Sequence, residues 1–330
     1  MPHIHPDVQA VLAAARAAGS KLFETMAPQD ARVAYEARRA FLQLPPAPVA
    51  EKRDVTIGGP GGPLALRLYR GAGTPEGQPL PCLLYLHGGG WALGSLDSHE
   101  GVCCTLANEA ACWVVAVDYR LAPEQPFPAA VEDCAAALNW LAAQASKVGV
   151  DRDRIAVGGD SAGGNLAAVL ALMSRDGALP CVMYQLLLYP AVDLAITGGS
   201  YGDKPTDGMT ITPATMRYFL DHYIPKPSDR VDWRASPLRA RTLAGLPPAF
   251  VLTCGHDPLE AEGRAYADRL AADGVPVTTV HLSDHTHGML TMSKVVGAVS
   301  PTLAFVGSKL RDAWRTAGAG ATAAEHRGAA

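Results

Sequence analysis

Six short apolar runs separated by helix-like stretches constrain this chain more than any other feature. The runs are Leu83–Leu86, Trp113–Val117, Ile155–Val157, Tyr184–Leu188, Ala249–Thr253 and Val277–His281. Helical patterns lie between them at Ser98–Ala111, near Ala129–Ala145, from about Ala162 to Met173 and near Ala261–Ala272, with a last helix after Gly288. Strands that are apolar almost throughout are covered on both faces, and strands alternating with helices pair in parallel. The expected class is therefore α/β, with a mostly parallel central sheet and helices on both of its faces. Asp54–Ile57 and Leu64–Tyr69 read as two further strands around the Gly58–Pro63 turn. With 330 residues, 48% of them hydrophobic and 18% charged, the chain buries a large core and is not disordered.

The rhythm breaks in two places. Residues 1–50 read as two helices, Asp7–Gly19 and Asp30–Leu44, with Pro28 and the Pro45–Pro48 stretch as breakers. Residues 192–246 carry turn residues and a short helical pattern near Pro213–Tyr223, too much chain for an ordinary connection. Such an insertion suits a cap over a site. The core then comprises residues 51–191 and 247–316, and the Ala/Gly-rich 317–330 reads as a frayed, flexible tail.

Composition narrows the partners. The net charge is −4 and no long basic run occurs, which argues against nucleic acid. No apolar run approaches the roughly 20 residues of a membrane span. Val8–Ala18 is interrupted by Arg16 and reads as an amphipathic helix, not a signal peptide. The seven cysteines are odd in number, form no C-x-x-C and mostly lie in apolar stretches. No histidine cluster stands at zinc-ligand spacing. A soluble, cytoplasmic protein with free thiols, no metal and no organic cofactor is expected.

Chemistry enters with Gly159-Asp160-Ser161-Ala162-Gly163, which follows one apolar run and opens a helix. A sharp strand-to-helix turn holds its serine in a strained backbone and lifts the hydroxyl clear of the sheet, provided small residues flank it. The bare pattern arises by chance in roughly one such chain of eight. A second copy, Gly198-Gly199-Ser200-Tyr201-Gly202, follows no strand and reads as a loop. Context selects Ser161. His87-Gly88-Gly89-Gly90-Trp91 directly follows the run Leu83–Leu86. Consecutive glycines turn backbone amides toward a ligand, which is what an oxyanion requires. No Lys or Ser/Thr follows at phosphate-loop spacing.

A serine needs a base, and the base needs an orienting acid. In this architecture the chain order is serine, acid, histidine. Asp257 follows Ala249–Thr253, and His287 lies in the loop after the next run. His285 is an alternative base; Asp284, Glu260 and Glu262 are alternative acids. His87 reads as a brace for the glycines. Trp91, Tyr189, Met209, Phe219 and Tyr223 are candidates to line a pocket, or plain core.

Four blocks in order resemble the bacterial hormone-sensitive-lipase-like esterases of the α/β-hydrolase superfamily. They are His87–Trp91, Asp118–Glu124 with Pro126–Asp133, Gly159–Leu166, and Asp257-Pro258-Leu259 with His287-Gly288. The resemblance implies the α/β-hydrolase fold with a helical cap, built from the N-terminal helical residues 1–50 and the insertion 192–246, and a Ser161–His287–Asp257 triad. It places an oxyanion hole at the amides of Gly89, Gly90 and Ala162. It selects His287 over His285, because the family's histidine precedes a glycine and a bulky apolar residue, here Met289. It gives the Asp118–Glu124 block a structural turn rather than a catalytic part. The family commonly has Arg then Asp where this chain has Glu260 then Ala261, and often Phe where Met289 stands. Esters of short to medium acyl chains, no cofactor, and a monomer or homodimer are what the resemblance implies. A non-catalytic small-molecule receptor on the same fold, and an amidase or peptidase with the same triad, are the competing readings.

Overall fold

The structure is a computed structural model and describes residues 3–195 and 209–327. Eight strands form one sheet in the order β1-β2-β4-β3-β5-β6-β7-β8. They are β1 (Glu51–Gly59), β2 (Gly62–Arg70), β3 (Leu80–Leu86), β4 (Trp113–Val117), β5 (Val150–Asp160), β6 (Tyr184–Leu188), β7 (Ala249–His256) and β8 (Val277–Thr286). Strand β2 runs antiparallel to both β1 and β4, and every later pairing is parallel.

The central strands β3, β4, β6 and most of β7 are buried residue by residue, whereas the edge strand β8 alternates between half-buried and exposed until its last two residues. Successive side chains of a strand point to opposite faces, and the sheet accordingly separates two cores. Cys82, Leu84 and Leu86 join α4 (Ala129–Gln144) and α5 (Ala162–Arg175) on one face. Leu83 and Tyr85 join α3 (Glu100–Ala110) and α8 (Val299–Arg327) on the other. Helix α7 (Glu260–Ala272) packs against β7 and contributes Tyr266, Ala267 and Leu270 to the α4–α5 core.

Several boundaries differ from expectation. Pro28 does not break a helix; it opens α2 (Pro28–Leu42), where a missing N–H costs nothing. Strand β8 continues to Thr286, so His285 lies inside it. The chain after Gly288 makes only a short turn over Met289–Thr291, and α8 begins at Val299. That helix runs to Arg327, so most of the stretch expected as a frayed tail is helical.

Parts of the segments before β1 and between β6 and β7 meet beside the end of β5. Helix α6 (Pro213–Tyr223) starts with a capping box between Thr212 and Thr215. Both hydroxyls also donate to Glu24, at 3.3 and 2.9 Å, which ties α6 to the segment between α1 (Pro6–Ala17) and α2. Phe23 and Phe219 meet with ring centroids 6.3 Å apart, and Tyr223 stacks on Trp91 at 4.5 Å and 3°. The second G-x-S-x-G copy lies outside the described residues.

Candidate active site

Strand β5 ends at Asp160, and α5 begins two residues later. Between them Ser161 adopts φ 57° and ψ −117°, a conformation L-residues rarely hold. Its amide donates to the Leu188 carbonyl (2.9 Å), and its carbonyl accepts from the Asn165 amide (3.1 Å). The flanking glycines are obligatory at this bend. A Cβ on Gly159 or Gly163 would collide with the Leu86 carbonyl oxygen. The serine hydroxyl therefore stands at the N-terminus of α5, beside that helix's unpaired amides.

Three sequence-predicted residues meet here. His287 Nε2 lies 2.8 Å from Ser161 Oγ, and His287 Nδ1 lies 2.8 Å from Asp257 Oδ2. Asp257 is fully buried at the end of β7, and its Oδ1 accepts from the Leu259 amide at 2.8 Å. His287 follows β8, where Gly288 takes φ 72° and turns the chain. Tyr189 packs against the His287 ring, with centroids 4.8 Å apart.

The competitors are engaged elsewhere. His285 Nδ1 pairs with Asp284 at 2.7 Å, and its ring lies 4.6 Å from that of His5. Glu260 pairs with Arg264 at 3.1 Å and lies 3.7 Å from His281. Glu262 accepts from the Val192 and Asp193 amides, and burial pushes its carboxyl well above the ordinary range.

The glycine loop after β3 faces the same point. Gly89 and Gly90 take φ 125° and 60°, open to glycine without strain. Ala162 is the first residue of α5. Among the described residues no acceptor is bonded to these three amides. Behind them lies a buried polar network that sequence reasoning did not anticipate. Asp160 Oδ1 accepts from the Tyr85 hydroxyl (2.8 Å) and the Gly88 amide (3.0 Å), and His99 Nε2 lies 3.4 Å from Oδ2. Burial raises the Asp160 carboxyl, but His99, Tyr85 and His87 together outweigh it and hold the group below its ordinary value. The signal available beforehand was an acidic residue directly before the serine, with a histidine shortly after the glycine run.

His87 braces this loop. Its ring stacks on Tyr119 (4.3 Å, 14°) and on His99 (5.6 Å, 30°), and its Nδ1 donates to the Gly88 carbonyl at 2.9 Å. Tyr119, from the block expected to form a structural turn, donates its hydroxyl to the His87 carbonyl at 2.7 Å. Burial, with His99 alongside, pulls the His87 imidazole down to about 3. The unfolded chain protonates that ring near pH 6.5. Between those values the unfolded state holds the extra proton, so stability falls as pH drops through the window. Thermal melts of wild type and His87→Phe from about pH 7 to about pH 4 check this. The variant's melting temperature should depend less steeply on pH; equal slopes would remove His87 as the cause.

An open cleft of about 100 Å³ leads to Ser161. Gly89, Gly90, His287 and Gly288 form its floor, and Phe23, Tyr35, Arg38, Met216 and Phe219 form walls supplied by the segments outside the sheet. Of the expected pocket residues, Phe219 is in the lining; Trp91 and Tyr223 stack on each other, Tyr189 backs His287, and Met209 is buried outside the lining. Among the described residues no three His, Cys, Asp or Glu side chains are grouped to hold a metal. No helix among them is long and apolar enough to cross a membrane.

Comparisons with known proteins point one way. Residues 83–291 match a family described by its alpha/beta hydrolase fold. The Mycobacterium tuberculosis protein named esterase LipI is 41% identical over 273 residues, covering 80% of this chain and 83% of its own. An ethyl acetate hydrolase of Pseudomonas putida is 36% identical over 318 residues, covering 92% and 97%. The solved structure of a hyperthermophilic esterase from the archaeon Pyrobaculum calidifontis superimposes with a TM-score of 0.88 at 38% identity, covering 94% of this chain and 99% of that one.

Proposed function

The chain belongs to the α/β-hydrolase fold family, in its hormone-sensitive-lipase-like esterase branch, and on that footing we propose that it is a serine carboxylesterase acting on short- to medium-chain esters. One observation carries the reading: the continuous relay from Ser161 Oγ through His287 to Asp257, both links 2.8 Å long.

His287 takes the Ser161 proton as the oxygen attacks the ester carbonyl, and Asp257 holds the imidazole in the tautomer with Nε2 free to accept. The tetrahedral oxyanion is held by the amides of Gly89, Gly90 and Ala162. That reading draws on their unengaged N–H groups beside Ser161. Each well-aimed donor contributes ~3 kcal/mol to the transition state. His287 then protonates the leaving alcohol, leaving an acyl-enzyme. Water repeats the cycle and releases the acid.

Residues 1–50 and 192–246 act as the cap, a role supported by the cleft walls that Phe23, Tyr35, Met216 and Phe219 provide. We place the enzyme in the cytoplasm, consistent with seven free cysteines of which six are buried. It acts as a monomer or a homodimer, as the family resemblance suggests.

A fluorophosphonate probe tests the nucleophile. It should label one peptide, containing Ser161, and no covalent adduct there would favour a binding protein on the same fold. Rates on an ester and its matched anilide separate the remaining reading, with the ester expected to be far faster; a faster anilide would make the protein an amidase.

A further inference from the structure

Among the described residues, one cation in the cleft wall has no counter-charge. Arg38, on α2, lines the same cavity as Ser161 and His287. Its guanidinium carbon sits 4.2 Å above the Phe23 ring, so one face of the group is occupied by an aromatic wall. Its Nη2 reaches the Lys21 carbonyl at 3.4 Å, a long and neutral contact. Among the described residues no carboxylate lies within ion-pair distance of it. Several other arginines with partly buried side chains do hold a carboxylate. Arg32 holds Glu124 at 2.6 Å, Arg120 holds Asp133 at 2.8 Å, and Arg39, the next residue, holds Glu36 at 3.1 Å. Nearby carboxylates have other commitments. Glu24 accepts from Thr212 and Thr215, and Glu36 also accepts from the Ser95 hydroxyl. Asp160, which touches the cavity beside the nucleophile, accepts from Tyr85 and Gly88.

A half-buried guanidinium is costly to leave without a partner, and burial draws the Arg38 pKa below the ordinary arginine value. A fork of donors backed by a ring matches a carboxylate. We propose that Arg38 is an anion-binding residue of the cleft and selects esters that carry a carboxylate at the end remote from the scissile carbonyl. This rests on Ser161 being the esterase nucleophile, and it adds the class of ester. Two kinds of molecule share the chemistry: monoesters of dicarboxylic acids, with the charge on the acyl side, and acylated hydroxy acids, with the charge on the alcohol side.

Matched pairs test it. Monoethyl adipate against ethyl hexanoate, and 4-acetoxybutanoate against butyl acetate, each differ only by a terminal carboxylate in place of a methyl group. The readout is the ratio of kcat/KM for the charged ester to that for its neutral partner. A charge-assisted contact corresponds to about 10- to 100-fold in that ratio. In Arg38→Met, which keeps a flexible chain against Phe23, the ratio should fall by that factor for at least one pair. Arg38→Lys should restore part of it, and raising the salt concentration should lower it in the wild type. Equal ratios in wild type and Arg38→Met for both pairs would overturn the proposal while leaving the esterase intact. Failure of the wild type on all four esters would instead remove the esterase reading itself.

Discussion

Ser161→Ala is expected to lower kcat on a p-nitrophenyl ester by about 10⁶-fold while the protein stays folded. The loss is large because His287 Nε2 addresses this hydroxyl at 2.8 Å, and an alanine there cannot form an acyl-enzyme. The fold should tolerate the change. The Ser161 backbone is held by the Leu188 carbonyl and the Asn165 amide, and both contacts survive in alanine. Any residual rate would come from the loop amides and from substrate binding. Steady-state rates together with a thermal melt check both halves. A folded variant within about tenfold of wild type would end the nucleophile assignment.

Asp257→Asn should cost about 10⁴-fold in kcat with little change in melting temperature. Asparagine has a single side-chain oxygen, and the Leu259 amide, 2.8 Å from Oδ1, claims it. The side-chain amide nitrogen then faces His287 Nδ1 across the present 2.8 Å contact. His287 is driven to accept at Nδ1 and carry its hydrogen on Nε2, where it can no longer take a proton from Ser161. Glu262 offers no substitute, because it is turned toward the Val192 and Asp193 amides and burial keeps its carboxyl protonated well above the ordinary range. Imidazole NMR of the variant should report the changed tautomer. An unchanged tautomer with an unchanged rate would show that Asp257 is a bystander.

Much of this was legible in the residues because the constraints are local. Short apolar runs such as Trp113–Val117, set between helix patterns, read as strands covered on both sides, and the structure buries all five residues. The elbow is equally local, since only glycine fits at 159 and 163 against the Leu86 carbonyl. The choice between His285 and His287 was not local. Two residues apart, they point alike in an extended strand, and what separates them is the end of β8 at Thr286 followed by the turn at Gly288. The cleft walls were hidden for a different reason. Tyr35 and Arg38 reach the site from a helix more than a hundred residues before the serine, and no spacing rule reports a contact of that span. Aromatic residues were likewise ambiguous: Phe219 faces the cleft, whereas Tyr223, one helical turn later, lies flat on Trp91.

The way α2 is fastened bears on how the molecule is made. Its end is pinned by the Leu44 amide to the Ser293 hydroxyl, 249 positions further on, and the segment before it leans on Thr212 and Thr215. Those anchors lie far along the chain from α2, so they close only after the segments that carry them have been synthesised. The wall beside the reactive hydroxyl therefore draws on both halves of the chain, since Arg32 of the same helix also holds the Ala92 and Ala122 carbonyls.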